Sequence, residues 1–219
     1  GLPYWDLEQS AIEQHPVYYN SIMALGDEAQ GRYNKQRLVP FGEYIPLSGW
    51  LSWVLPALQN DPSMSGFSRG SREQPPLAIK NHHLGAAICY EVAYPNLTRR
   101  NASQSDYLVT VSNDAWFTGT AGPWQHLQMV QMRAKENGRW FIRATNTGVT
   151  AFIDHHGHIV KQAPTDQTAV LRGELPAMQG QTLYMRLSDW PILAFSLLLL
   201  LLGWIYRPRT VDVSFKSRR

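Results

Sequence analysis

Apolar and polar residues along this chain fall into short blocks separated by Gly, Pro and Asn/Asp turns, and each block predicts one element. Tyr18–Leu25 reads as a strand running into a turn at Gly26-Asp27, and Gly31–Val39 as a second strand stopped by Pro40-Phe41-Gly42. Trp50–Leu58 is apolar and predicts a short helix lying against the domain or a membrane. Asn60–Pro76, rich in Ser, Gly and Pro, reads as a loop long enough to act as a lid. Leu84–Ile88 and Tyr107–Val111 are apolar runs that end in polar residues, the pattern of buried strands that deliver side chains to a site. Trp124–Asn137 has helical spacing and stops at Gly138. Trp140–Ala144, Val149–Ile153, Ile159–Gln162 and Thr168–Leu175 complete the set as strands. Strands mixed with helices predict an α+β layered sandwich over residues 1–175, with 176–189 as a linker.

One block is different in kind. Trp190–Tyr206 is seventeen residues without a charge and contains six consecutive leucines, Leu197–Leu202. Its length of roughly 25 Å approaches a bilayer core of about 30 Å, so the expectation is one C-terminal transmembrane helix over 190–206. Trp190, Trp204 and Tyr206 stand at its ends, where aromatic belts form. Arg207, Arg209, Lys216, Arg218 and Arg219 follow it, so the positive-inside rule makes 207–219 a cytoplasmic tail and puts the preceding domain in the periplasm.

Composition sharpens this picture without changing it. The chain is 44% hydrophobic and 17% charged, with eight Trp, enough to build a core and too apolar for a disordered segment. A net charge of +3 gives no case for nucleic acid, and much of it sits in the tail beside the apolar block. The histidines His82, His83, His155, His156 and His158 lie in polar turns without ligand spacing, so no metal and no cofactor is expected.

Candidate chemistry centres on the single cysteine. Cys89 follows the apolar run Ala86-Ala87-Ile88 and precedes Tyr90-Glu91. At a strand end, on a sharp turn, a thiol is exposed while its backbone stays rigid, and the next backbone N–H can face a developing oxyanion. A thiol needs a base or a cation nearby to react as thiolate, and Lys35 is the candidate cation. By themselves, a lone Cys is more often a small buried hydrophobe and a Lys before a Pro-Phe-Gly turn more often a solvated residue. Arg69 and Arg72 in the Ser/Gly loop could meet lipid phosphates, although ordinary solvated charges are the simpler reading.

Taken together the segments resemble a known superfamily. Lys35-x-x-Leu38-Val39-Pro40-Phe41-Gly42-Glu43, followed by Ile88-Cys89-Tyr90-Glu91, resembles the nitrilase superfamily, whose members use a Glu–Lys–Cys triad on an αββα sandwich. Tyr107–Phe117, Gly122–His126, Arg143–Gly148 and the terminal apolar block are similar to its apolipoprotein N-acyltransferase branch. The resemblance implies Cys89 as nucleophile, with Lys35 and the Tyr90 backbone N–H stabilising the oxyanion. It implies site roles for Glu43 and Glu91, which could hold a catalytic Lys charged and oriented, and a substrate-pocket role for Trp116. The triad glutamate is expected upstream of this sequence, because neither Glu8 nor Glu13 follows an apolar strand. The expectation is therefore an N-terminally truncated chain, inactive alone for want of a base.

The function so implied is acyl transfer through a Cys89 thioester at the bacterial inner membrane. The donor would be a phospholipid and the acceptor the diacylglyceryl-cysteine N-terminus of an apolipoprotein. A membrane-anchored amidase and a non-catalytic membrane scaffold are the rival readings.

Overall fold

The computed structural model describes residues 2–13, 16–44, 46, 66–165 and 167–207. The segment Trp50–Leu58, much of the expected lid and most of the basic tail lie outside these residues.

Among the described residues, ten strands form two sheets. The chain begins with β1 (Leu2–Trp5), α1 (Leu7–Glu13), β2 (Tyr18–Met23), β3 (Ala29–Gln30) and β4 (Arg32–Asn34). It continues through β5 (Leu77–Ile79), β6 (His82–Ile88), α2 (Pro95–Ala102) and β7 (Tyr107–Ser112). Then follow α3 (Gly122–Asn137), β8 (Trp140–Thr145), β9 (Ala151–Ile153), β10 (Ile159–Gln162), α4 (Leu183–Leu187) and α5 (Trp190–Ile205). A three-stranded antiparallel sheet has the order β1-β2-β4, and a seven-stranded sheet the order β10-β9-β8-β7-β6-β5-β3. Only β6, β7 and β8 run parallel. β6 and β7 are the strands that the apolar runs Leu84–Ile88 and Tyr107–Val111 announced, because a strand buried on both faces has little polar side to alternate with.

Alternation along β7 shows the layering. Leu108 belongs to the core between the large sheet and the helices, with Leu97, Leu127, Val130, Phe141 and Met185. Val109 and Val111 point the other way, into the core between the sheets with Tyr33, Leu77, Ala86 and Ile88. The chain passes from one sheet to the other at Gly31 (φ +116°), a left-handed position between β3 and β4 that an L side chain rarely adopts.

Several expectations need correction. Gly31–Val39 is extended only over Arg32–Asn34, because the N–H groups of Gln36 and Arg37 bond to Glu91 and not to a neighbouring strand. Thr168–Leu175 forms no strand and joins neither sheet, and Val170 is 81% exposed. Residues 176–189 are more than a linker, since α4 buries Met185 in the helix-side core and Thr182 caps it. Glu8 does follow a strand, β1, but it sits on α1, which buries no residue.

The apolar block forms α5 as expected, over Trp190–Ile205. Among the described residues, however, no helix is long and apolar enough to cross a membrane. Its sixteen residues rise about 24 Å, short of a hydrocarbon core of about 30 Å.

Candidate active site

The site lies at the carboxyl ends of the three parallel strands, where an open α/β sheet offers its crevice. β6 ends at Ile88, and Cys89 begins a short 3-10 helix, Cys89–Ala93. The Cys89 backbone has φ +53°, a left-handed conformation uncommon for a side chain with a Cβ. That turn ends the strand sharply and leaves the free thiol partly exposed, packed beside the inter-sheet core.

Lys35 follows β4 in the other sheet and is 1% exposed. Its Nζ donates to Glu43, 2.7 Å from both carboxylate oxygens. Glu43 also accepts from the Val39 N–H at 2.8 Å and from Asn20 Nδ2 at 3.1 Å. An ammonium removed from water requires such a partner, and the Lys35 side chain is thereby held in one place.

Glu91 does something different from the role sketched for it. It forms no hydrogen bond or ion pair with the Lys35 ammonium and instead joins the backbone segments that carry Lys35 and Cys89. Its Oε1 accepts from the Gln36 N–H at 2.6 Å and the Arg37 N–H at 2.9 Å. Its Oε2 accepts from the Ile88 N–H at 2.8 Å and the Tyr33 hydroxyl at 3.0 Å. Burial pushes the Glu91 carboxyl above the usual carboxylate range, and the four donors pull it back. Burial, then the adjacent carboxylate, holds the Tyr33 phenol far above its ordinary value, so it remains a donor.

A second buried network underlies the nucleophile from the helix side. Asp114, just past β7, accepts from Arg143 Nη2 at 2.6 Å and from Ser112 Oγ at 2.5 Å. His126 Nδ1 lies 3.0 Å from Asp114 Oδ1 and 3.3 Å from Arg143 Nη2, while its Nε2 lies 3.0 Å from the Cys89 carbonyl oxygen. A carbonyl only accepts, so Nε2 carries a hydrogen and donates it. Burial raises the Asp114 carboxyl, but the His126 and Ser112 hydrogen bonds and the Arg143 charge outweigh it and leave it below the usual range. Burial lowers Arg143, against which the Asp114 and Cys89 charges favour the guanidinium. The motif residues Asp114, His126 and Arg143 carried no role in the sequence. One signal was legible: Phe141 and Arg143 share a strand face, and a charged residue facing the same core as Phe141 needs a buried partner.

The remaining candidates are more open. Tyr90 is 44% exposed, with its ring edge against Tyr94 at 5.7 Å. Trp116 sits in the 3-10 helix Ala115–Phe117 and is 80% exposed, outside the core. No described side chain is hydrogen-bonded to the Cys89 sulfur, and Glu8 and Glu13 are exposed on α1.

A layered α/β domain, with a thiol on a left-handed turn after a parallel strand and a buried lysine–glutamate pair, defines a carbon–nitrogen hydrolase domain. The chain belongs to the carbon-nitrogen hydrolase family, which it matches over residues 2–183. It is 51% identical over 212 residues to apolipoprotein N-acyltransferase of Azotobacter vinelandii, covering 97% of this chain and 40% of that protein. It is 51% identical over 187 residues to the Pseudomonas putida protein of the same name (85% and 36%), and 45% over 197 residues to that of Photobacterium profundum (86% and 38%). The chain thus spans about two-fifths of the length of these curated relatives. A crystal structure of a carbon-nitrogen hydrolase from Helicobacter pylori has the same fold, with a TM-score of 0.50 at 16% identity over 76% of this chain and 57% of that one.

Proposed function

We propose that this chain carries the nucleophile of an enzyme that N-acylates the diacylglyceryl-cysteine of apolipoproteins from a phospholipid donor. Half identity across most of the chain to apolipoprotein N-acyltransferases supports the activity. The single observation that carries the mechanism is the Glu91 clamp, which ties the left-handed turn of Cys89 to the segment of the buried Lys35.

The Cys89 thiolate attacks the ester carbonyl of the donor, and the carbonyl electrons move to oxygen. The Lys35 ammonium, fixed by Glu43, and the Tyr90 N–H stabilise that oxyanion. Its collapse expels the lysophospholipid alkoxide, which takes up a proton, and leaves a Cys89 thioester. The lipoprotein α-amine then attacks the thioester, loses its proton and releases the thiolate, completing a ping-pong cycle. The base that takes the thiol proton comes from outside the described residues, as the resemblance to a Glu–Lys–Cys triad implies.

The membrane side of the reading rests on α5. Leu197–Leu202 are between 40% and 72% exposed, an apolar surface that no described segment covers. We read α5 as embedded in the inner membrane, with the catalytic domain periplasmic and the basic tail cytoplasmic. The deficit of about 6 Å against the hydrocarbon core is of the size that local thinning and snorkelling of Arg207 accommodate. Trp116, exposed near the site, would contact the acyl chains.

Incubation with a phospholipid labelled in its fatty acid should leave a hydroxylamine-sensitive adduct on the protein. Cys89→Ser should abolish it. Label that persists in Cys89→Ser sinks the thioester route, and turnover of soluble amides without any lipid adduct would favour an amidase.

A further inference from the structure

Five arginines converge at the foot of the apolar helix. Arg37, Arg69, Arg72, Arg99 and Arg100 line one open cavity of about 660 Å³, with Trp190 and Leu193 of the first turns of α5 on its wall. They come from three separate segments: the loop after Lys35, the loop around Gly70, and α2. Their meeting is a product of the fold and not of a charge run.

The assembly is held together by specific bonds. The Gly70 N–H donates to the Lys35 carbonyl at 2.8 Å. Arg99 Nη1 donates to the Met185 carbonyl at 2.9 Å, and Ser188 Oγ meets Asn96 Oδ1 at 3.0 Å, which fixes α4 and the start of α5 against α2. Arg100 Nη2 donates to Gln36 Oε1 at 3.2 Å.

Among the described residues, Asp189 is the single carboxylate on the cavity wall and none of the five arginines forms an ion pair. Burial, and then the positive charges of Arg72, Arg37 and Arg99, lower the Arg100 guanidinium, against the opposing effect of Tyr33. Like charges gathered in one concavity repel unless an anion sits among them. A guanidinium fork matches phosphate oxygens in geometry as well as in charge.

Depth identifies the anion. Trp190 and Leu193 open α5, and at about 1.5 Å per residue the leucine run starts roughly 10 Å further along the helix. If the leucines lie in hydrocarbon, the arginines stand at the level where headgroup phosphates lie. The cavity also begins one residue from Lys35, at Gln36 and Arg37, whose N–H groups bind the Glu91 that clamps the Cys89 turn.

We propose that this arginine cavity binds the phosphate of a phospholipid headgroup in the leaflet that α5 enters. The proposal rests on the acyl-transfer reading for one point only, that the lipid held there is the acyl donor. Seated by its phosphate beside Lys35, a donor would have its glycerol esters directed toward the site without leaving the membrane surface.

The test measures binding apart from turnover. In Cys89→Ser protein in non-ionic detergent, titration calorimetry compares dihexanoylphosphatidylglycerol, dihexanoylglycerol and inorganic phosphate. The phospholipid should bind at least about tenfold more tightly than the diacylglycerol, which shares its tails and lacks the phosphate. Arg99→Gln/Arg100→Gln should remove that advantage and leave diacylglycerol binding unchanged. Arg72→Gln, at an exposed loop position, should reduce it in the same direction and serves if the double variant does not fold. Equal binding of the two lipids, or unchanged phospholipid affinity in the variants, overturns the proposal. Inorganic phosphate bound as tightly as the phospholipid makes this a plain anion site and overturns the lipid assignment. Loss of acyl transfer with binding intact would sink the proposed activity alone, because the binding arm needs no reactive thiol.

Discussion

Asp114 is a buried carboxylate whose partners are all accounted for, and its neighbours explain why it is there. Its oxygens meet Arg143, Ser112 and His126, and His126 passes the constraint to the Cys89 carbonyl. A left-handed cysteine is costly, by about 1–3 kcal/mol, and a hydrogen bond to its own carbonyl offsets part of that cost. Asp114→Asn would leave the Arg143 guanidinium buried without a counter-charge, and should destabilise the fold by about 3 kcal/mol at neutral pH. The pH dependence has a definite sign. Because the folded Asp114 carboxyl lies below its usual range, its contribution is complete above about pH 4 and is lost as the pH falls through the folded value. The gap between parent and Asp114→Asn in urea midpoint should therefore be constant from pH 7 to pH 5 and shrink below pH 4. A gap that grows on acidification would contradict this assignment.

Elements reach their positions through a few close approaches. α2 crosses β6 so tightly that a Cβ at Gly85 would lie 2.7 Å from the Asn101 carbonyl oxygen and 2.9 Å from its carbon. Asn101 returns the contact, its Nδ2 donating to the Ala86 carbonyl at 2.7 Å. Gly85→Ala should push α2 off the strand that ends at Cys89 and cost about 2 kcal/mol, measured by thermal unfolding. Gly85→Ala unfolding at the parent temperature would mean that the helix moves freely. The strands β6, β7 and β8 and the helix α3 were legible to within two residues: β6 and β7 as apolar runs between turn residues, and α3 by its helical spacing and the stop at Gly138. β1 and α1 were not, since a four-residue strand containing a proline and a helix without a buried face leave little pattern. The strand read over Gly31–Val39 stopped early because Glu91, fifty-five residues away from Gln36, claims the N–H groups that a ladder would have used.

At the scale of the whole molecule, the proposed membrane placement rests on α5. Leu197–Leu202 remain between 40% and 72% exposed in the folded chain. On insertion scales each central leucine favours the bilayer by about 0.5 kcal/mol, whereas an arginine there opposes it by about 3 kcal/mol. The expressed chain should sediment with membranes and resist carbonate extraction. Leu199→Arg/Leu200→Arg should release most of it to the supernatant. Retention of that variant would show that another surface holds the chain to the bilayer.

The order of residues by itself determined the nucleophile candidate, its lysine, the central strands and the apolar helix, because each is written locally in a motif or a run of like residues. Only the tertiary structure decided what binds them together. Glu91 joins backbone segments from two sheets, His126 reaches the Cys89 carbonyl from a separate helix, and five arginines from three segments meet at the foot of α5. Those contacts depend on which buried donor faces which acceptor across the packed layers, and sequence spacing carries no record of that.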